Sequence, residues 1–154
     1  MVRITNRYDP RVLDYIMGHP EIYWQHVESG APEPEKMDFA SYANDVRVRI
    51  WVVFLDDYPV GFCGAVQKNE SYWETHVGFL PVARGSVATA ACRFVISELF
   101  EKFGARKLIA EIAEDNRPAQ MLARRLGFKL EGTNPKSFWR DGKLIDQLRF
   151  GLWR

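Results

Sequence analysis

One stretch of the chain, HVGFLPVARGSVATAACRF (residues 76–94), combines residue types that suit the binding of an anion. An extended apolar run passes through Pro81 and a small basic loop into a segment whose spacing of apolar residues favours a helix. Arg84 carries a positive charge, and Gly85 and Ser86 allow backbone N–H groups to approach a ligand closely. The loop predicts a phosphate cradle, and a tight turn at Gly85 followed by a helix cap at Ser86 is the alternative interpretation.

The helix predicted after this loop has no acidic residue in its first turn, Val87 to Ala90. The first carboxylate beyond the loop belongs to Glu98. Asp and Glu ordinarily favour first turns because they complement the helix dipole. The predicted helix N-terminus is therefore electropositive, with Arg84 beside it. These residues alone are compatible with both interpretations, a phosphate cradle and a tight turn followed by a helix cap.

A second set of residues suited to chemistry lies just before the loop, on the predicted strand SYWETHVGFL. Alternation along a strand places Tyr72, Glu74, His76 and Gly78 on one face. Imidazole titrates near neutral pH, so His76 is a candidate general base and Glu74 a second one. Tyr72 is a candidate acid for protonating a leaving group. A hydrogen-bonded histidine in a half-buried strand and a solvated carboxylate are the structural alternatives.

The composition predicts a single domain over residues 1–154, because 47% of the residues are hydrophobic and can build a substantial core. The 21 basic and 20 acidic residues are interspersed, which argues against nucleic acid as a partner. Cys63 and Cys92 lie in apolar runs without metal-type spacing, and no apolar run is long enough to span a membrane. We expect a cytoplasmic protein in a reducing compartment, without a metal or a membrane partner.

The order of the predicted elements indicates the fold class. Two short amphipathic helices, the first over residues 10–18, precede the loop-like stretch ESGAPEPEKMD, and three β-type runs then form an antiparallel meander. The long helix joins two parallel strands by a right-handed crossover. A further helix begins near Asn116, and Asp141-Gly142 predicts a closing hairpin. These elements predict an α+β fold with a mixed, largely antiparallel sheet of about seven strands and helices on both faces.

Three stretches give the chain a resemblance to a known family: HVGFLPVARGSVATAA, RKLIAEIAEDNRPAQMLARRLGFKLEG and FWRDGKLID. They are similar to GNAT-type N-acetyltransferases, particularly the branch that modifies ribosomal-protein N-termini and related amines. The resemblance covers residues 46–154 well and the N-terminal helices loosely. It implies a GNAT-like (acyl-coenzyme A N-acyltransferase) fold, with acetyl-coenzyme A (acetyl-CoA) as cosubstrate and an amine of a small molecule or protein N-terminus as acceptor. The oligomeric state stays open, with a homodimer as one option.

The resemblance also implies which residues bind the coenzyme. In the family, a loop of arginine, glycine, any residue, glycine, any residue and a small residue cradles the pyrophosphate. Arg84 to Ser86 match its first three places and Ala88 its small residue, but the second glycine is missing and the loop is one residue short. Asn116 matches an asparagine that contacts the pantetheine arm, and it suits a helix cap equally well. The candidate coenzyme-binding residues are Val77, Gly78, Phe79, Leu80, Arg84, Gly85, Ser86, Val87, Ala88 and Asn116.

The resemblance implies an enzyme that acetylates amines by direct attack on the thioester. His76 stands where relatives often carry a glutamate, and backbone N–H groups near residues 77–80 correspond to the donors at which the family splays two parallel strands apart. Many relatives have a tyrosine where this chain has Ala123. The short loop and the missing tyrosine favour the alternative, a catalytically weak or inactive GNAT-like binding or assembly module, as among small phage-encoded relatives.

The acidic stretch after the second helix bears on the acceptor. It carries Glu28, Glu33, Glu35 and Asp38, and in the family this region forms one wall of the substrate cleft. These carboxylates could attract a cationic amine. A solvated acidic loop is the alternative.

Overall fold

A computed structural model describes all 154 residues and contains seven strands and five α-helices. In chain order the elements are β1 (Val2–Thr5), α1 (Arg11–Met17), α2 (Pro20–His26), α3 (Phe39–Asn44), β2 (Val48–Leu55), β3 (Tyr58–Gln67), β4 (Tyr72–Phe79), α4 (Ser86–Glu101), β5 (Lys107–Ala113), α5 (Arg117–Arg125), β6 (Lys129–Arg140) and β7 (Lys143–Trp153). None of the helices has the length and apolar character that crossing a membrane requires.

The strands form one mixed sheet in the order β1-β2-β3-β4-β5-β7-β6. Every neighbouring pair is antiparallel except β4 and β5, which run parallel because α4 carries the chain back between them. The predicted α+β class, with a largely antiparallel sheet of about seven strands, is confirmed. The crossover places the N-terminus of α4 just beyond the end of β4, the strand that carries the predicted catalytic residues.

Helices cover both faces of the sheet, and each face has its own hydrophobic core. On one face α4 and α5 pack against alternate residues of β2, β3, β5 and β7, with Trp51, Leu99 and Phe150 almost fully buried. On the other face α1, α2 and α3 cover the remaining alternate residues of β2 and β3. The three N-terminal helices do not extend over β5, β6 and β7, so this half of the sheet keeps an accessible face.

The seven strands are not the ones that the sequence pattern indicates. The run starting at Phe128 and the first arm of the predicted hairpin are one strand, β6, which is irregular between Leu130 and Gly132 and between Asn134 and Phe138. The remaining strand is β1, a four-residue edge strand that pairs with β2. Residues 28–38 are mainly loop, as expected, with one short 3-10 turn at Pro34–Lys36, whereas α3 was not predicted.

Candidate active site

The strands β4 and β5 separate after a short paired segment. Their register pairs are Tyr72 with Lys107, Trp73 with Leu108 and Glu74 with Ile109, and no pairing continues toward Phe79. The Thr75 hydroxyl donates to the Ile109 carbonyl (2.9 Å), which closes the paired segment. The gap beyond this point is the splay that the family resemblance implies.

Backbone direction along β4 determines which groups face the gap. Leu80 donates its N–H to the Val60 carbonyl of β3 (2.8 Å), and the carbonyl of Tyr72 accepts from Lys68 on that same side. Because backbone groups alternate along a strand, the N–H groups of Val77 and Phe79 point toward the gap. The amides of the other two predicted residues, Gly78 and Leu80, point toward β3 instead.

A cleft of about 1070 Å³ extends over this gap and over the accessible sheet face beyond it. Most of the predicted site residues line this cleft, namely Tyr72, Glu74, His76, Val77, Gly78, Phe79, Arg84, Gly85, Ala88 and Asn116. The other three, Leu80, Ser86 and Val87, do not line it. The structure therefore brings the predicted catalytic strand and the predicted anion loop to one cavity.

The loop end of the cleft presents unpaired backbone donors. Gly85 is the N-cap of α4 with φ +94°, a conformation for which glycine is strongly favoured, and open space surrounds its missing side chain. No side chain caps the helix, its first turn holds no acid, and the N–H groups of Ser86, Val87 and Ala88 have no acceptor. Four N–H groups are normally orphaned at a helix start, and an anion satisfies them well. Ser86 does not act as the cap, so the capping interpretation of the loop loses its support.

Arg84 lies beside these donors but is already engaged. Its Nε donates to the Phe79 carbonyl (3.2 Å), its Nη2 to the Glu21 carbonyl (3.3 Å), and the Glu21 carboxylate lies 4.0 Å away. The guanidinium therefore ties the loop to β4 and to the start of α2. Arg84 has a structural role in addition to any role in binding an anion.

Asn116 occupies the N-cap of α5, as one of its two predicted roles requires. Its side-chain oxygen accepts the N–H of Ala119 (3.2 Å), and Pro118 stands in the first turn. The cap uses only the oxygen, so the amide N–H₂ remains available toward the cleft that Asn116 lines. Both roles of Asn116 are compatible in this geometry.

Two of the three catalytic candidates, Glu74 and His76, are in contact on the cleft face of β4, whereas Tyr72 lines the cleft without a hydrogen bond to either. The Glu74 carboxylate lies 3.2 Å from Nε2 of His76 and 2.9 Å from the Lys68 ammonium. The hydrogen bond from His76, together with Lys68, lowers the pKa of Glu74 to about 2, against the opposing effect of burial. A carboxylate that stays ionised far below neutral pH is a weak base, so Glu74 is suited to orient His76 rather than to remove a proton itself.

The pKa of Glu74 leads to a prediction about acid stability. Its folded pKa of about 2 lies below the ordinary value of 4.5, so the folded protein binds fewer protons than the unfolded chain between these values. The stabilisation is therefore complete above about pH 4.5 and is lost as the pH falls toward 2. Denaturant titrations should show Glu74→Gln less stable than the parent at pH 6, with the difference shrinking at pH 3. A difference that stays constant with pH would contradict this linkage.

His26, at the end of α2, is a site residue that the sequence did not indicate. Its Nε2 lies 2.6 Å from the Val77 carbonyl and its Nδ1 2.9 Å from the Ile22 carbonyl. Desolvation by the surrounding protein lowers the pKa of His26, although the two carbonyls oppose this. The Val77 carbonyl is thus paired with His26, and the Phe79 carbonyl is paired with Arg84. The backbone groups of these two residues that remain free toward the gap are their N–H donors.

Close packing of α2 on β4 makes this contact possible. A side chain at Gly78 would come within 2.5 Å of the Ile22 side chain and 3.2 Å of the His26 ring. Glycine at position 78 therefore lets α2 lie directly against the strand.

The loop after α2 is joined to the β6–β7 hairpin, and its first residues line a smaller pocket next to the main cleft. Ser29 donates its N–H to the Trp139 carbonyl (3.0 Å), and the Glu28 carboxylate accepts the N–H of Trp139 (2.7 Å). Asp38 is likewise occupied, as the N-cap of α3. Two of the four carboxylates, those of Glu28 and Asp38, therefore have structural roles, and none of the four lines the main cleft.

The chain resembles known proteins both in sequence and in structure. The profile of the acetyltransferase (GNAT) domain matches residues 2–129, and no curated protein sequence gives a significant match. The spermidine N-acetyltransferase of Vibrio cholerae, in complex with CoA and spermine, superposes with a TM-score of 0.81 at 19% identity, covering 99% of this chain and 94% of that one.

Two further solved structures superpose over nearly the whole chain. RimJ of Mycobacterium smegmatis, in complex with CoA-disulfide, has a TM-score of 0.79 at 18% identity, covering 99% of this chain and 81% of that one. The ribosomal-protein-S5-alanine acetyltransferase of Vibrio fischeri has a TM-score of 0.76 at 14% identity, covering 99% and 91%. At these identities the likeness establishes a common fold.

Proposed function

Because this chain belongs to the GNAT acetyltransferase family, we propose that it transfers an acetyl group from acetyl-CoA to a primary amine. The observation that supports this most strongly is the shared cleft, in which the gap between β4 and β5 meets the uncapped N-terminus of α4. The gap between β4 and β5 would hold an extended acyl-pantetheine arm, and the N-terminus of α4 would hold the phosphates of the coenzyme. Few other ligands combine these two requirements.

The residues present fit such a coenzyme. The free N–H groups at residues 86–88 would receive the pyrophosphate, assisted by the positive end of the helix dipole. The N–H groups of Val77 and Phe79 would hydrogen-bond the arm in the gap, where β5 would otherwise pair. The amide of Asn116 would contact the arm from the opposite side. The missing second glycine does not remove any of these donors.

The bound coenzyme supplies an activated acyl group, and the chain supplies the proton handling and the charge stabilisation. An amine attacks only when neutral, so His76 would accept its proton, directly or through a water molecule. Glu74 holds the Nε2 side of the imidazole, and its negative charge stabilises the imidazolium that forms. Val77 or Phe79 N–H would stabilise the negative charge that develops on the acyl oxygen. Tyr72, which lines the cleft, is the candidate donor to the departing thiolate.

We propose direct attack because neither cysteine is placed as a nucleophile. Cys63 and Cys92 are buried between β3 and α4, with their sulfur atoms 3.9 Å apart. The neighbouring Cys92 thiol and burial both raise the pKa of Cys63, which disfavours the reactive thiolate. No acyl-enzyme step is therefore needed.

The test of this function is acetyl-CoA turnover, measured as thiol release with a panel of small amines and peptides. Mass spectrometry of the amine should show a gain of one acetyl group. Thiol release without an acetylated amine, or measurable coenzyme binding without any turnover across the panel, would contradict the proposal.

The engaged position of Arg84 and the presence of Ala123 favour a second candidate, a GNAT-like binding or assembly module. Calorimetric titration with CoA separates the two functions, because the module requires no coenzyme affinity. Absence of binding at millimolar CoA would support the module. We further propose that residues 1–154 act as one domain, since both cores pack on one sheet. The cytoplasmic location remains a prediction from the sequence.

A further inference from the structure

The cleft contains no uncompensated carboxylate. Three carboxylates line the cleft, and each has a basic partner. The pairs are Glu74 with Lys68 (2.9 Å), Glu111 with Arg149, and Asp115 with Arg140 (3.2 Å). A polycationic acceptor needs carboxylates that are free to pair with it. This surface is thus poorly suited to a polyamine.

Arg140 differs from Arg149, which also lines the cleft, because its pairing is less complete. Arg149 donates from both Nε and Nη2 to the Glu111 carboxylate. Arg140 contacts Asp115 through Nη1 alone, and its Nη2 is enclosed by protein without any acceptor. The guanidinium packs 5.1 Å from the ring centre of Phe138, and the side chain as a whole is 24% exposed.

An enclosed donor without an acceptor is costly, and an arriving anion that accepts its hydrogen removes the cost. A guanidinium is a planar fork that matches the two oxygens of a carboxylate. The nearby Asp115 charge leaves the Arg140 site close to neutral, which favours a singly charged ligand over a dianionic phosphate.

We propose that Arg140 binds a carboxylate on the acceptor, so that the substrate is an amine that also carries a carboxylate group. The inference rests on the proposed acetyl transfer and assigns its substrate class. Because Nη2 is enclosed, this binding would require the Arg140 side chain to turn toward the cleft, with Asp115 keeping one contact to the guanidinium. The carboxylate belongs either to a free amino acid or to an acidic residue at a peptide N-terminus.

The test uses matched acceptors that differ only in the carboxylate. Amino acids with increasing separation between amine and carboxylate, from glycine to 5-aminopentanoate, are compared with their amides. Peptides with N-terminal glutamate and glutamine distinguish the two sources. We expect the best acid to have a kcat/KM at least about tenfold above that of its amide. An amide that is acetylated as well as its acid throughout the series, peptides included, would overturn the inference.

Two substitutions should change the preference for an acid over its amide in opposite directions. Arg140→Gln should abolish the advantage of the acid over its amide, whereas Asp115→Asn should raise affinity for the acid by removing a competing charge. Asp115→Asn also keeps the test decisive if Arg140→Gln fails to fold. An equal effect of either substitution on acid and amide would contradict the assignment of Arg140.

Direct binding separates this inference from the proposed function. Calorimetry with the N-acetylated acids and their amides measures recognition of the carboxylate without turnover. Transfer to amides and acids alike would uphold acetyl transfer and overturn the carboxylate site. Selective binding of acids without any transfer would uphold the site and count against the enzyme. No selectivity in either assay would overturn the inference.

Discussion

Replacement of His76 by alanine should lower kcat by about 10²- to 10⁴-fold, the usual contribution of a general base, while coenzyme affinity stays within about twofold. The imidazole faces the cleft and is oriented by Glu74, whose carboxylate is itself held by Lys68. Without the imidazole, the amine must lose its proton to bulk water. The N–H donors proposed for the phosphates belong to α4, another element, so coenzyme binding should be unaffected.

The measurement is kcat over a pH series, with coenzyme binding measured separately by calorimetry. In the parent protein the rate should depend on pH, because a general base must be unprotonated to act, and the variant should lose that dependence. His19→Asn is the matched control, because His19 caps α2 outside the cleft and asparagine caps equally well. A His76→Ala variant that keeps the parent rate and pH profile would show that another group removes the proton.

Introduction of an acid at position 86 should change stability and coenzyme binding in opposite directions. Ser86→Asp places a negative charge in the first turn of a helix that has no acid there, which should stabilise the fold by about 0.3 to 1 kcal/mol. The same charge lies beside the N–H groups that are proposed to bind the pyrophosphate and would repel it. CoA affinity should therefore fall at least about tenfold.

This substitution is a sharper test than a change at Arg84. Arg84 donates to two carbonyls, so Arg84→Glu would also disturb the loop and its contact with α2. Ser86 is exposed and makes no cap, and Ser86→Asn provides a neutral control of similar size. Thermal melts and calorimetry on the same samples measure both effects. A stabilised Ser86→Asp protein with unchanged CoA affinity would exclude the phosphate cradle.

Features with a local cause were predictable from the sequence. The family resemblance is confirmed by the domain match, and the element order leads to the observed α+β sheet. Strand alternation correctly places Tyr72, Glu74 and His76 on one face of the sheet. Side chains alternate regularly along β4 because its pairing with β3 contains no bulge. The helix start at Asn116 was also predictable, since a cap followed by proline is a local signal.

Features that depend on distant contacts were not predictable. His26 meets the Val77 carbonyl across 51 positions of the chain, and nothing near either residue indicates the contact. The edge strand β1 is short and largely exposed, so its apolar pattern is weak. The helix α3 did leave a signal, because Asp38 caps it, but the surrounding prolines and glycine obscured that signal.

The short paired segment between β4 and β5 also divides the sheet into two halves, each formed by strands that are neighbours in the sequence. Strands β1 to β4 pair in chain order, strands β5, β7 and β6 form the other half, and three register pairs join the two. Local opening follows the weakest pairing in a structure, so each half should exchange its amide hydrogens as a separate cooperative unit. A ligand in the gap would contact both units, and its binding free energy would stabilise the sheet against separation of the two. Bound coenzyme would thus replace the backbone hydrogen bonds that β4 and β5 do not form, and couple the two units into one.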